Sequence, residues 1–290
     1  MLLAFPLSSY LCTTHGWRSS FWVPALPTVP CVFLLLVFGS SSPRKNRWVG
    51  EVERAMLAAE TQREDTAKVA IRWGRLLSEP MLWNITFSMF CANWAAYMYL
   101  AELPLYLVSL GFSEEQLGWV SNIVMLMNPV MSVVFAVAAD ALVASRRLSV
   151  QGTRHAMNSV GLCGPGVCLA LVAVADTPTL IVGLMAIGYA LLPAVASGCF
   201  VSTLDVAPRT VGVVYGFANC VGMFQGVVSP FLTAALLAEG GAANGSSGDA
   251  SESGGWAHVW GVAAGLLFVG AAVFLRSTTE VLEQRWIRDA

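Results

Sequence analysis

Residues 211–237 read VGVVYGFANCVGMFQGVVSPFLTAALL, an unbroken stretch without one charged side chain. An α-helix rises about 1.5 Å per residue, so roughly 20 apolar residues cross the hydrocarbon layer of a bilayer. Six further runs of this kind lie at about 21–38, 82–110, 117–143, 157–174, 180–200 and 259–275. The composition agrees: 56% of the chain is hydrophobic and 12% is charged, against about 25% charged residues in soluble domains. A water-soluble fold has no surface on which to place so many apolar side chains. Residues 1–12 are apolar but too short to span. They lack a basic start and a small-residue cleavage site, so they read as the tail of a helix whose beginning is missing rather than as a signal peptide.

The basic residues test this topology almost independently of hydrophobicity. The chain has 16 Lys and Arg, and once the runs are threaded across a membrane only Arg18 falls on one side. The other fifteen gather in residues 40–80, in the turn holding Arg146, Arg147 and Arg154, at Arg209, and in the tail with Arg276, Arg285 and Arg288. Loops that stay cytoplasmic retain Lys and Arg, so this side, with residues 40–80 and the C-terminus, is expected to be cytoplasmic. The basic residues are spread over loops rather than gathered on one face, which speaks against nucleic acid as a partner.

On the opposite side, 111–116 and 176–179 read as short connections. Residues 239–256, rich in Gly, Ser and Ala, read as a flexible, solvated loop. Asn244-Gly245-Ser246 is a glycosylation candidate there. Asn84-Ile85-Thr86 also fits the pattern but opens a helix at the basic side and is expected to stay unmodified. Within residues 40–80, Val49 to Asp65 has the composition of a surface helix, between Pro43 and Pro80.

The seven cysteines (Cys12, Cys31, Cys91, Cys163, Cys168, Cys199 and Cys220) all lie in apolar segments without a C-x-x-C pair, and read as small packing residues. His15, His155 and His258 are far apart and belong to no ligand motif, so no metal site is expected. Signatures of a P-loop, a dinucleotide glycine turn, a zinc protease or a nucleophile elbow are absent, and no enzyme chemistry is expected.

One segment is more specific than hydropathy. Thr203-Leu204-Asp205-Val206-Ala207-Pro208-Arg209, followed by Gly212, Gly216, Asn219, Gly222, Gly226, Ser229, Pro230 and Phe231, resembles the anion:cation symporter family of the major facilitator superfamily between its tenth and eleventh helices. That family includes sodium–phosphate, sialic acid, and vesicular glutamate and nucleotide transporters. Asn93-Trp94-Ala95-Ala96-Tyr97 with Glu102-Leu103-Pro104-Leu105-Tyr106-Leu107 resembles its seventh helix. Ala139-Asp140-Ala141-Leu142 with Arg146 and Arg147 resembles the turn between the eighth and ninth. Gly161-Leu162-Cys163-Gly164-Pro165 resembles the ninth, and Gly16-Trp17-Arg18 and Ser42-Pro43 resemble the ends of the sixth.

The resemblance implies an all-α membrane protein. Residues 1–39 are a remnant of an N-terminal bundle, 40–80 a cytoplasmic central loop, 81–276 a six-helix C-terminal bundle, and 277–290 a cytoplasmic tail. The family has twelve spans and the resemblance begins at the end of the fifth, so the chain is expected to be incomplete. By resemblance, the intact protein is a secondary active transporter of small organic or inorganic anions, working by alternating access with protons or sodium as the coupling ion and no other cofactor. The alternatives are a non-transporting fragment or regulatory half-transporter and, more remotely, an integral membrane enzyme. The anion, the organelle and the oligomeric state are not named by the sequence.

Glu102 stands out, because a carboxylate near the middle of a span costs about 2.5–3.5 kcal/mol on insertion scales. It reads either as a proton-binding residue of a wet cavity or as a side chain snorkelling to the outer surface. Asn93 and Tyr97, one helical turn apart with Pro104 on the same face, read as cavity lining on a bent helix, or as interhelical packing. Gly212, Gly216, Gly222 and Gly226 form a small-residue stripe expected to pack against neighbouring helices. Asn219 and Gln225, as amides in lipid, need partners or a cavity. Asp140, Arg146 and Arg147 are expected to form a charge network that holds one face shut, or an ordinary solvated turn. Asp205 and Arg209 flank a similar turn, where Asp205 is also a candidate helix cap. Gly164-Pro165-Gly166 reads as a kink.

Overall fold

The apolar runs fold as helices because, in lipid, only a helix satisfies its backbone N–H and C=O groups within one segment. The structure is a computed structural model and describes residues 4–40, 48–53, 56, 70–243, 249–278 and 280–288. It divides into two compact units, residues 1–70 with 289–290 and residues 71–288.

The first unit holds α1 (Ala4–His15), α2 (Ser19–Ala25) and α3 (Thr28–Phe38). Gly16 turns the chain between α1 and α2 with φ of 80°, a left-handed value that a side chain disfavours. Ser19 and Ser20 then donate from their hydroxyls to the Leu11 and Ser8 carbonyls, which ties α2 to α1. Pro27 carries no N–H and separates α2 from α3. The surface helix expected over 49–65 falls mostly outside the described residues.

The second unit begins with the short α4 (Trp73–Leu77), then α5 (Pro80–Ser109), α6 (Glu114–Ala144), α7 (Val150–Val172) and α8 (Pro178–Leu191). A π-helical turn, Ala196–Phe200, leads into α9 (Val201–Val206). After it come α10 (Val211–Met223), α11 (Gln225–Ala243) and α12 (Asp249–Phe274). Capping follows the sequence: Ser113 and Gln116 form a reciprocal capping box on α6, and the Ser149 hydroxyl accepts from the Gly152 N–H on α7. Pro80 and Pro178 open α5 and α8, where the missing N–H is not needed.

Among the described residues, six stretches are long and apolar enough to cross a membrane: Ser19–Phe38, Gln116–Ala144, Val150–Val172, Pro178–Val206, Val211–Glu239 and Gly255–Phe274. The seventh expected span is α5, long enough at 30 residues but too polar to join them. Its position explains this. Ile85, Met89, Cys91, Ala95, Tyr99, Leu103 and Leu107 are almost fully enclosed, and α5 packs on both α10 and α12. Much of its surface meets protein rather than lipid, which tolerates Asn93 and Glu102.

The region read as a flexible loop, 239–256, is corrected where it is described. Helix α11 continues to Ala243 and α12 starts at Asp249, because Ala and Glu favour helix once the preceding span has nucleated it. The glycosylation candidate Asn244 lies outside the described residues.

Close helix approach runs through glycines other than the expected stripe. A Cβ at Gly161 would lie 2.5 Å from the Val195 backbone nitrogen, and one at Gly270 would lie 2.7 Å from Cys91 Sγ. At Gly212, Gly216 and Gly226 a Cβ would meet no atom within 4 Å; only Gly222 of that stripe faces a neighbour. Gly212, Gly216 and Gly226 are thus exposed, and Gly222 alone of the stripe packs on α5.

Candidate functional site

Two groups of candidate residues emerge, one in the middle of α5 and one at the basic end of the bundle. Asn93 and Tyr97 share a face of α5 and lie against the end of α10. A Cβ on Gly222 would approach Asn93 Nδ2 to 3.0 Å, and the Tyr97 hydroxyl donates to Met223 Sδ at 3.3 Å. Gln225, the first residue of α11, is 0% exposed, and neither its amide oxygen nor its nitrogen has a hydrogen-bond partner among the described residues. Asn93 Nδ2 is likewise buried and without a partner among the described residues. Buried amides normally find partners, so unsatisfied donors and acceptors mark a place where something else hydrogen-bonds or where strain is held. Asn219 is half-buried on α10.

Glu102 does not join this group. At about 100° per residue, it lies roughly 180° around α5 from Asn93. It shares a face instead with Tyr106, whose ring packs 5.0 Å from Trp256 and 5.3 Å from Trp260. Glu102 is only 5% exposed, so most of its side chain is covered by the bundle. It has no hydrogen-bond or ion-pair partner among the described residues. A cavity of about 370 Å³ opens nearby at the non-basic end, lined by Tyr106, Val172, Asp176, Ile181 and Trp256.

At the basic end, Asp140, Arg146 and Arg147 match the solvated-turn alternative. Asp140, Arg146 and Arg147 are exposed and form no ion pair with one another among the described residues. Their helix stops at Ser145, and Arg146 takes a left-handed φ of 52°, so their side chains diverge into solvent. An L-residue there costs about 1 kcal/mol against glycine. Arg146→Gly is therefore expected to raise the thermal unfolding midpoint of the purified protein, whereas Arg147→Gly is not.

One charge pair that forms there, between helices, is Arg154 with Asp205. Arg154 Nε donates to Asp205 Oδ2 at 2.8 Å, and Nη1 donates to the Ser197 carbonyl at 3.1 Å. The two side chains are 13% and 22% exposed. Local folding explains the geometry. The π turn at Ala196–Phe200 presents the Ser197 carbonyl to Arg154. Gly198 then lets that turn approach α7, because a Cβ there would sit 2.6 Å from the Asn158 nitrogen and 2.9 Å from the Arg154 carbonyl oxygen. Asp205 lies in the last turn of α9, where the helix dipole disfavours a carboxylate, and Arg154 compensates for it. Asp205 therefore pairs with a cation instead of capping a helix. Arg209 contributes its backbone N–H, not its side chain, to the carboxylate of Glu283 at 2.8 Å. A polar seam continues inward: the Ser88 hydroxyl donates to Asn158 Oδ1 and the Cys199 thiol to the Ile85 carbonyl.

Arg154 was legible only as a loop charge, since it falls just before the run beginning at 157. Glu283 and Ser197 carried no signal in the sequence.

The family model of the Major Facilitator Superfamily matches residues 1–153. The chain belongs to the major facilitator superfamily. Its relatives lie in the branch whose motif Asp205 and its neighbours resemble. It is 30% identical to the chloroplastic ascorbate transporter of Arabidopsis thaliana over 94% of its own length and 47% of the relative's. It is 30% identical to the chloroplastic sodium-dependent phosphate transport protein 1 of the same plant over 96% and 51%. It is 24% identical to human sialin over 94% and 53%. The chain spans about half the length of the curated relatives it matches. As a member of a family of transporters rather than enzymes, it is an integral, multi-pass membrane protein surrounded by lipid.

Proposed function

We propose that this chain supplies one bundle of a secondary active transporter that moves small organic or inorganic anions by alternating access. The observation that carries the reading is a central helix, α5, less apolar than the other spans and largely enclosed by protein, with buried amide groups at Asn93 Nδ2 and Gln225 that have no partner among the described residues. Amides present neutral donors and acceptors suited to the hydroxyl and carbonyl groups of an anionic substrate, while the charge is neutralised outside this bundle. The names of the relatives, which include ascorbate and phosphate transporters, agree with that chemistry.

The basic end is the cytoplasmic one by the distribution of Lys and Arg. There Arg154 and Asp205 act as a gate: the pair is intact when this end is closed and separates when it opens, so it favours one of two states. Glu102, enclosed in the bundle away from Asn93 and Tyr97, serves as the proton-binding group of a proton-coupled cycle. A carboxylate so placed is a functional group by default in a membrane protein.

Glu102→Gln in the full-length protein is expected to reduce proton-driven anion uptake into proteoliposomes at least tenfold and to flatten its dependence on pH. Exchange of labelled substrate without a proton gradient should persist. Uptake unchanged at every pH would remove Glu102 from the mechanism and leave sodium as the coupling ion to test.

A further inference from the structure

The segment that follows α12 is not a free tail. After Phe274 the chain turns back across the basic end, with the Ser277 N–H donating to the Phe274 carbonyl at 2.8 Å. There Ser277 is held by α7: Gln151 Nε2 donates to its carbonyl at 3.1 Å, and His155 Nε2 lies 3.1 Å from the same oxygen. A few residues on, the segment grips the turn between α9 and α10. The Leu282 N–H donates to the Val206 carbonyl, the Glu283 carboxylate accepts the Arg209 N–H, and Trp286 Nε1 donates to Thr210 Oγ1. It ends on the approach to α5, where Arg72 donates its backbone N–H to the Trp286 carbonyl at 2.9 Å and Nη2 to the Ile287 carbonyl at 2.7 Å. Arg285 pairs with Glu79 at 2.9 Å.

These are built contacts, not incidental ones. Trp286 is 2% exposed and Glu283 is 4% exposed. A carboxylate is buried so deeply only where a donor holds it, and here a backbone N–H does. The placement matters more than the number of bonds. His155 neighbours Arg154 and Val206 neighbours Asp205, so the segment joins the two helices that the ion pair also joins, one residue away from each partner.

We propose that this segment is a strap that holds the basic end closed, and that it must release the turn between α9 and α10 before Arg154 and Asp205 separate. It rests on the gate reading above. By linking that turn to the start of α5, the strap also transmits opening of the basic end to the helix that carries Asn93 and Tyr97.

Cys199 reports on this end. It is 0% exposed and lies in the π turn whose Ser197 carbonyl Arg154 holds. The test is maleimide labelling of Cys199 in the full-length protein in nanodiscs, resolved by peptide mass spectrometry, together with backbone hydrogen exchange of the unmodified protein. Leu282 and Arg209 amides are expected to exchange slowly. Glu283→Ala with Trp286→Phe removes a charge-assisted bond and a neutral one, and is expected to speed Cys199 labelling about tenfold or more. If that double variant does not fold, Arg285→Gln, whose side chain is 61% exposed, should speed labelling about twofold. Exchange of Leu282 at the rate of an unstructured chain, or labelling that the strap variants leave unchanged, overturns the proposal. Arg154→Gln separates the two readings. If it speeds labelling while strap variants do not, the strap fails and the gate stands; if it also has no effect, the gate reading itself has failed.

Discussion

Replacing Arg154 with Gln is expected to destabilise the bundle by about 2–3 kcal/mol, because it leaves two groups without their partner. The Asp205 carboxylate stays in the last turn of α9, against the negative end of the helix dipole and only 22% exposed. The Ser197 carbonyl loses its bond from Arg154 as well. Asp205→Asn alone should cost less, because an amide still accepts from the guanidinium. Arg154→Gln combined with Asp205→Asn should recover most of the loss, since no buried charge then remains unpaired. Denaturant titration in mild detergent reads all three, and the departure from additivity gives the coupling of the pair directly. Equal, additive losses would show that the two side chains do not act together.

Gly198→Ala is expected to cost about 3 kcal/mol, an effect out of proportion to one methyl group. Its Cβ would meet the Asn158 nitrogen at 2.6 Å and the Arg154 carbonyl oxygen at 2.9 Å, both backbone atoms in the body of α7. Neither can swing aside as a side chain does, so the π turn must move off α7 and take Ser197 with it. The substitution should therefore weaken the Arg154–Asp205 coupling as well as the fold. Gly212→Ala is the control: no atom lies within 4 Å of its added carbon, and the change should stay within about 0.5 kcal/mol. Similar losses at both positions, read from thermal unfolding midpoints, would contradict the packing account.

The fold was legible because lipid leaves so few choices. Long apolar runs and one-sided basic loops specify helices and their order without tertiary information, and α6, α7 and α8 fall close to where the runs predict them. The site was legible only in part. Asn93 and Tyr97 could be paired because helical periodicity places them on one face. Glu102 could not be separated from them without locating the partners of α5, since its burial against the Tyr106 and Trp260 side depends on α12. The glycine stripe of α10 and α11 was periodic but, apart from Gly222, meets no neighbour, whereas the glycines that pack closely, such as Gly161 and Gly198, are scattered and find their neighbours across the bundle. Arg154 was hidden by its place at a boundary, and its partner lies 51 residues away. The strap was invisible because its charged, short sequence resembles any solvated tail, and its order comes from the surfaces it meets.

The most direct test of the account is a charge exchange in the full-length protein, Arg154→Asp with Asp205→Arg, measured by anion uptake into proteoliposomes beside each single reversal. An ion pair that governs opening of the basic end predicts that each single reversal abolishes uptake, while the exchange restores a substantial part of it. Single reversals that transport normally, or an exchanged protein that folds and inserts but stays as inactive as the singles, would contradict it.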